Sequence, residues 1–218
     1  MHHSWIELNP SPSVRNLGII FDEDFNFQPH ILQICKSCFY HMRDLKRIRK
    51  HVSMSTAVSL ANALVISKLD YCNSLFTDIR EKDLMKLQRV QNCLARIVHR
   101  APRFSPSAPL RSSLHWLPIN ERIDFKVGLI AYKTLSCGMP KYIHDLLTIR
   151  NSGKNLRTDN GKCLEVPKGI RTAAGSRAFS VYAPKFWNDL PLDIRNSSSI
   201  GVFKTKLKTF LYRRAYPP

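Results

Sequence analysis

Residues 13–31, SVRNLGIIFDEDFNFQPHI, carry the chain from one hydrophobic period into another. Val14, Leu17, Ile19, Ile20 and Phe21 suit a strand over 14–21 buried on at least one face, with Pro12 before it and Asp22, Glu23 and Asp24 after it. The nearest partner is WIELN at 5–9, which the turn PSPS at 10–13 would fold back as a hairpin. Two strands alone are marginal in water, and the residues that follow read as helix. Either a helix covers this hairpin, or the hairpin is the edge of something larger.

Helical periodicity takes over downstream. HILQICKSCFYHMRDLKRIRKH (30–51) forms a first helix, HVSMSTAVSLANALVISKLDYCNSLF (51–76) a second with Ser53 as N-cap, and EKDLMKLQRVQNCLARIVHR (81–100) a third that stops before Pro102. APRFSPSAP (101–109) holds three prolines and reads as a loop, the best candidate for a subdomain boundary. Beyond it, Pro118 precedes a helix over 119–135 that Gly138 closes, and MPKYIHDLLTI (139–149) contains a short helix. The Gly-, Asn- and Lys/Arg-rich stretch 151–175 has β-like pieces at NLRT (155–158) and CLEVP (163–167), and helices around 177–190 and 201–214 end the chain. The expected fold is mainly α. An N-terminal β-hairpin (1–25) leads into a three-helix bundle (26–103), and a second helical region (104–218) carries a short β element at about 154–172 and two C-terminal helices.

Composition narrows the partner. Thirty-four Lys and Arg against 16 Asp and Glu give 218 residues a formal net charge of +18, which favours a polyanion, nucleic acid before an anionic membrane surface. The first residues show no secretory pattern, and AVSLANALVI is far too short to span a bilayer. Six cysteines in such a chain read as reduced thiols, so the expected location is intracellular, in nucleus or cytoplasm. RDLKRIRKH (43–51) serves nuclear import and RNA binding alike.

The first and third helices share a design. On the first, Ile31, Ile34, Cys38, Met42, Leu45 and Ile48 lie within an arc of about 120°, while Lys36, Arg43, Arg47 and Lys50 lie within about 60° on the opposite side. On the third, Leu84, Leu87, Val90, Leu94, Ile97 and Val98 oppose Lys82, Lys86, Arg89, Arg96 and Arg100, which gather within about 80°. Polar helix faces are commonly charged, yet they usually mix signs, because a single-sign field repels itself unless an anion relieves it. Two such stripes on neighbouring helices favour a cationic groove for nucleic acid.

Other clusters carry less. His30, Cys35, Cys38 and His41 have zinc-like spacing, but Cys38 belongs to the apolar arc and one helix cannot surround a tetrahedral ion. Asp22, Glu23 and Asp24 read as a solvated turn rather than a magnesium site, and Asp70-Tyr71 and His115-Trp116 as packing and hydrogen-bonding pairs. NGK and SGK lack P-loop spacing, no nucleophile is paired with a base, and no metal or cofactor is called for. Trp116, Tyr132, Tyr142, Phe179, Tyr182, Phe186 and Trp187 alternate with basic residues in a way that suits base stacking, but their helical spacing says core first.

The phrases VRNLGIIFDEDFNFQPHI, SKLDYCNSLF, KLQRVQNCLARIV, LHWLPINERIDFK, LIAYKTL, MPKYIHDLL, GSRAFSVYAPKFWNDLPLDIR and FKTKLKTFL, in this order, resemble the C-terminal part of the reverse transcriptase polyprotein of non-LTR (LINE-type, jockey-like) retrotransposons. The resemblance implies that LGIIFD is a last palm element, that 26–103 is a thumb gripping template and primer, and that 104–218 is a post-thumb region. It also implies that polymerase chemistry needs an aromatic-x-Asp-Asp turn upstream. FDEDF at 21–25 does not match that turn, so Asp22 and Asp24 receive no catalytic role. The expectation is a catalytically incomplete fragment, not an enzyme by itself, that binds RNA or an RNA–DNA hybrid without sequence preference and joins a reverse transcriptase core in trans. A basic helical interaction protein and a translated remnant without function are the alternatives.

Overall fold

A computed structural model describes residues 11–150, 163–170 and 172–217. The hairpin is tighter than the sequence suggests. Strand β1 (Ser13–Asn16) pairs antiparallel with β2 (Ile19–Asp22), Asn16 opposite Ile19, so the stretch read as one strand is two. Leu17 and Gly18 form the turn, both with positive φ, the backbone twist that two-residue hairpin turns require. WIELN, the expected partner, lies outside the described residues. The turn is tied down by Tyr71, whose hydroxyl donates to the Leu17 carbonyl at 2.7 Å.

Asp22 then starts the helical part. Its carboxylate accepts the backbone N–H groups of Asn26 at 3.0 Å and Phe27 at 2.6 Å, and its carbonyl accepts from Phe25 N–H at 2.9 Å, so the acidic stretch is a turn, as expected, and Asp22 holds that turn just ahead of the first helix. Helix α1 (Gln28–Ile48) buries Ile31, Ile34, Cys38, Met42 and Leu45 as expected, but Ile48 is exposed. Arg49 turns inward in its place and donates to the carbonyls of Val98 at 2.7 Å and Val52 at 3.0 Å. Ser53 caps α2 (Met54–Ala61), accepting from Thr56 N–H at 3.1 Å. The second helix is not one rod. A π-helical stretch, Asn62–Ile66, leads into α3 (Ser67–Asp70), and Cys72 with positive φ breaks the run. Helix α4 (Glu81–His99) packs along α1.

The proline loop leads into α5 (Ser107–Ser113) and then α6 (Ile119–Cys137), which Gly138 terminates with φ of +64°, its N–H donating to Thr134 at 2.8 Å. Short α7 (Lys141–His144) and α8 (Ala173–Ser176) flank the region expected to hold a β element. NLRT lies outside the described residues. CLEVP supplies a single antiparallel bridge, Leu164 opposite Ile149, made by Arg150 N–H donating to the Cys163 carbonyl at 2.9 Å and Glu165 N–H donating to the Thr148 carbonyl at 2.8 Å, while the N–H and carbonyl of Leu164 itself both bond the Asn188 side chain, each at 2.8 Å. Helices α9 (Phe179–Asp189) and α11 (Ile200–Ala215) pack against α6, and the short α10 (Leu192–Arg195) packs against α11. No described helix is long and apolar enough to cross a membrane.

Hydrophobic burial is continuous from β2 to α11. Polar ties cross the proline loop as well: Gln91 donates to the Leu117 carbonyl at 2.8 Å, Gln88 accepts from Ile119 N–H at 2.9 Å, and Arg122 forms a two-pronged ion pair with Asp70. In the C-terminal half, Tyr132 stacks on Phe203 with ring centroids 4.2 Å apart, and its hydroxyl donates to the Ser197 carbonyl at 2.7 Å. Gly128 lets α6 approach both neighbours. A Cβ there would sit 2.9 Å from the Phe186 ring and 3.0 Å from a Leu207 methyl. Gly128→Ala is therefore expected to lose about 2 kcal/mol to overpacking and to regain about 1 kcal/mol of helix propensity. Chemical denaturation should show a net loss of about 1 kcal/mol, and a gain would mean that the contact is slack.

Candidate nucleic-acid interface

Helices α1 and α4 run in the same direction. Cys35 lies within electrostatic reach of Asp83 and Lys86 near one end, and Arg49 bonds the Val98 carbonyl at the other. This alignment decides which basic side chains meet. At the C-terminal ends of the two helices, Lys46, Arg49, Lys50, Arg96, Arg100 and Arg103 line a cleft of about 450 Å³ with a floor of Cys93, Ile97 and Ala101. Among the described residues no carboxylate lines it. Each helix C-terminus contributes roughly half a negative charge, which one or two cations would neutralise. Six exceed that need, and the surplus is an anion-attracting field.

Three residues expected from the basic stripes, Lys50, Arg96 and Arg100, are in this cleft. Lys36, Arg43 and Arg47 lie exposed along α1, with Arg47 3.5 Å from Asp44 and Arg43 5.8 Å from the Tyr40 ring centroid. Lys82 and Arg89 are exposed on α4 nearer its start. The ammonium of the partly exposed Lys86 sits 2.7 Å from the buried carboxylate of Asp83, a pairing that compensates a charge taken out of water. Helical projection missed Lys46, Arg49 and Arg103. Lys46 lies on the flank of the α1 stripe, while Arg49 and Arg103 lie outside regular α-helix; the runs RDLKRIRKH and HRAPR were the available signal.

The cleft is held from within. Arg96 Nε donates to the Ser105 carbonyl at 2.9 Å, which fixes the loop after α4, and Ser105 N–H donates to Pro102 O at 3.1 Å to close a turn there. Arg100, at the α4 C-cap, has positive φ. Lys46, Lys50, Arg100 and Arg103 are exposed, with their charges free to meet a ligand.

Most of the aromatic residues are core. Trp116, Tyr132, Phe186 and Trp187 are buried, Phe179 and Tyr182 are half-buried, and Tyr142 is exposed. Cys38 is fully buried, which pushes its thiol up to about 12, and burial also raises Cys35. Among the described residues no three His, Cys, Asp or Glu side chains converge as a metal site.

His30 is the unusual member of that helix start. Its ring is buried beside Phe76, and neither nitrogen has a hydrogen-bond partner among the described residues. Burial, then the charge of Arg15, lowers its pKa; Lys68 and Tyr71 line the same cavity. Protons therefore bind the unfolded chain first. The stability contribution is intact above the ordinary histidine value of about 6.5 and falls as the pH drops through it. Denaturation midpoints of the wild type should fall more steeply between pH 7 and pH 5 than those of His30→Leu; parallel profiles would contradict the assignment.

No family model, curated protein or solved structure matches the chain.

Proposed function

We propose that this chain is the thumb-like and post-thumb part of a non-LTR retrotransposon reverse transcriptase, catalytically incomplete by itself, and that it binds RNA or an RNA–DNA hybrid through phosphate contacts. The observation that carries the reading is the cleft between the ends of α1 and α4, where six cations face solvent or line the wall with no carboxylate among them. Phosphates spaced along a strand match such a surface, and contacts to phosphate carry no sequence information. Binding is expected to be sequence-tolerant. The exposed β1 strand, with Val14 facing solvent, and the turn residue Leu17 beside it are where a polymerase core would dock in trans.

Anisotropy of a labelled RNA–DNA hybrid, titrated at several salt concentrations with heparin as competitor, tests this. Saturable binding that outlasts heparin, with log affinity falling by about 0.7 to 0.9 per phosphate against log salt, is the expected result. Complete removal by heparin would favour the other reading, a basic interaction surface for acidic proteins.

A further inference from the structure

Phe104 stands beside the cleft with 90% of its surface exposed, more than any other large apolar side chain among the described residues. Its backbone is held in place. Pro102 through Ser105 form a hydrogen-bonded turn, and Arg96, a cleft residue, grips the Ser105 carbonyl at 2.9 Å. The neighbouring Arg103 lines the cleft and also lies against the Phe104 ring, its guanidinium carbon 5.8 Å from the ring centroid. An exposed aromatic ring on a hydrogen-bonded turn therefore adjoins the cationic cleft, and Arg103 belongs to both.

We propose that Phe104 is a base-stacking platform, and that the cleft with its rim recognises a single-stranded segment of nucleic acid in preference to closed duplex. This rests on the phosphate-binding reading above and adds the strand type to it. An unpaired base has two free faces and lies within a nucleotide's reach of its own phosphate, so the cations can hold the phosphate while the ring takes the base. Inside a duplex both faces are already stacked, and Phe104 has nothing to receive. The ring's exposure fits that use, since an aromatic side chain left in water gains most from a flat partner that covers it. Arg103 supports the stack by lying against the ring and by supplying charge to the adjoining phosphate.

The test compares wild type, Phe104→Ala and Phe104→Trp on two labelled probes at one low salt concentration. One probe is a short single-stranded RNA, and the other an RNA–DNA hybrid capped at both ends by non-nucleotide linkers so that no terminal base is free. Phe104→Ala should weaken single-strand binding about tenfold and leave the capped hybrid unchanged, as expected for the loss of one stacked base. Phe104→Trp should bind as the wild type does, with its added fluorescence quenched by the single strand alone. Wild type that binds both probes while Phe104→Ala loses nothing, or loses equally on both, would overturn the stacking platform and leave phosphate binding standing. Wild type that binds neither probe would overturn both proposals. Because Phe104 is so exposed, its replacement does not endanger the fold.

Discussion

Arg214→Met is expected to destabilise the protein by about 3 kcal/mol, the low end for removing one partner of a buried ion pair because Arg214 is itself 40% exposed. The carboxylate of Asp124, with 4% of its side chain exposed, sits inside the α6, α9 and α11 assembly. It accepts from the Arg214 guanidinium and, at 2.6 Å, from the Tyr182 hydroxyl, whose pKa is driven up by burial and then by the Asp124 charge. Glu121 lies 3.7 Å from the same guanidinium. Without the arginine, Asp124 keeps one donor and loses the charge that offsets its desolvation. For a chain of this length, the loss corresponds to a fall of roughly 6 to 12 °C in Tm, readable by circular dichroism. The triple variant Asp124→Leu, Tyr182→Phe and Arg214→Met removes Asp124 together with both of its donors and should recover much of the loss, since the most deeply buried carboxylate is gone and only the more exposed Glu121 is left without the arginine. An unchanged Tm in Arg214→Met would show that the arginine carries none of this load.

Reversing Lys46, Lys50, Arg100 and Arg103 to Glu should lower affinity for single-stranded RNA at low salt by roughly a thousandfold or more, and flatten the log–log salt slope by about 3. These four are exposed, whereas Arg49 and Arg96 are spared because their guanidinium groups bond the carbonyls of Val98, Val52 and Ser105 and hold the cleft together. Four reversals remove eight units from a net charge of +18, so the variant stays basic. A matched control carries the same reversals at Lys133, Lys185, Lys204 and Lys208, all exposed on α6, α9 and α11. If the cleft is the site, the control loses far less. Equal losses in the two variants would make net charge the whole explanation and remove the cleft from it.

The amphipathic designs of α1 and α4 were legible because they are local: a period of 3.6 places Ile31, Ile34, Cys38, Met42 and Leu45 on one face whatever lies beyond. Ser53 and Gly138 could be assigned as caps for the same reason, since capping is chemistry between near neighbours. The hairpin was harder. A count of apolar residues over 14–21 reads as one strand, and only the positive-φ pair Leu17-Gly18 turns it into two. Ile48 was assigned to the core by periodicity and then displaced by Arg49, whose partner Val98 is remote in sequence.

The basic residues divide along the same line. Sequence determined that α1 and α4 each carry a positive face, because charge and period are both properties of one helix. Tertiary structure decided which of those charges meet. The common direction of α1 and α4 brings Lys46 and Lys50 up to Arg96 and Arg100, the turn after α4 adds Arg103 and presents Phe104, and the buried Asp83 pairs with Lys86. Helical projection carries no information about the angle or register between two helices. A cleft shared by two of them exists only once their packing is fixed.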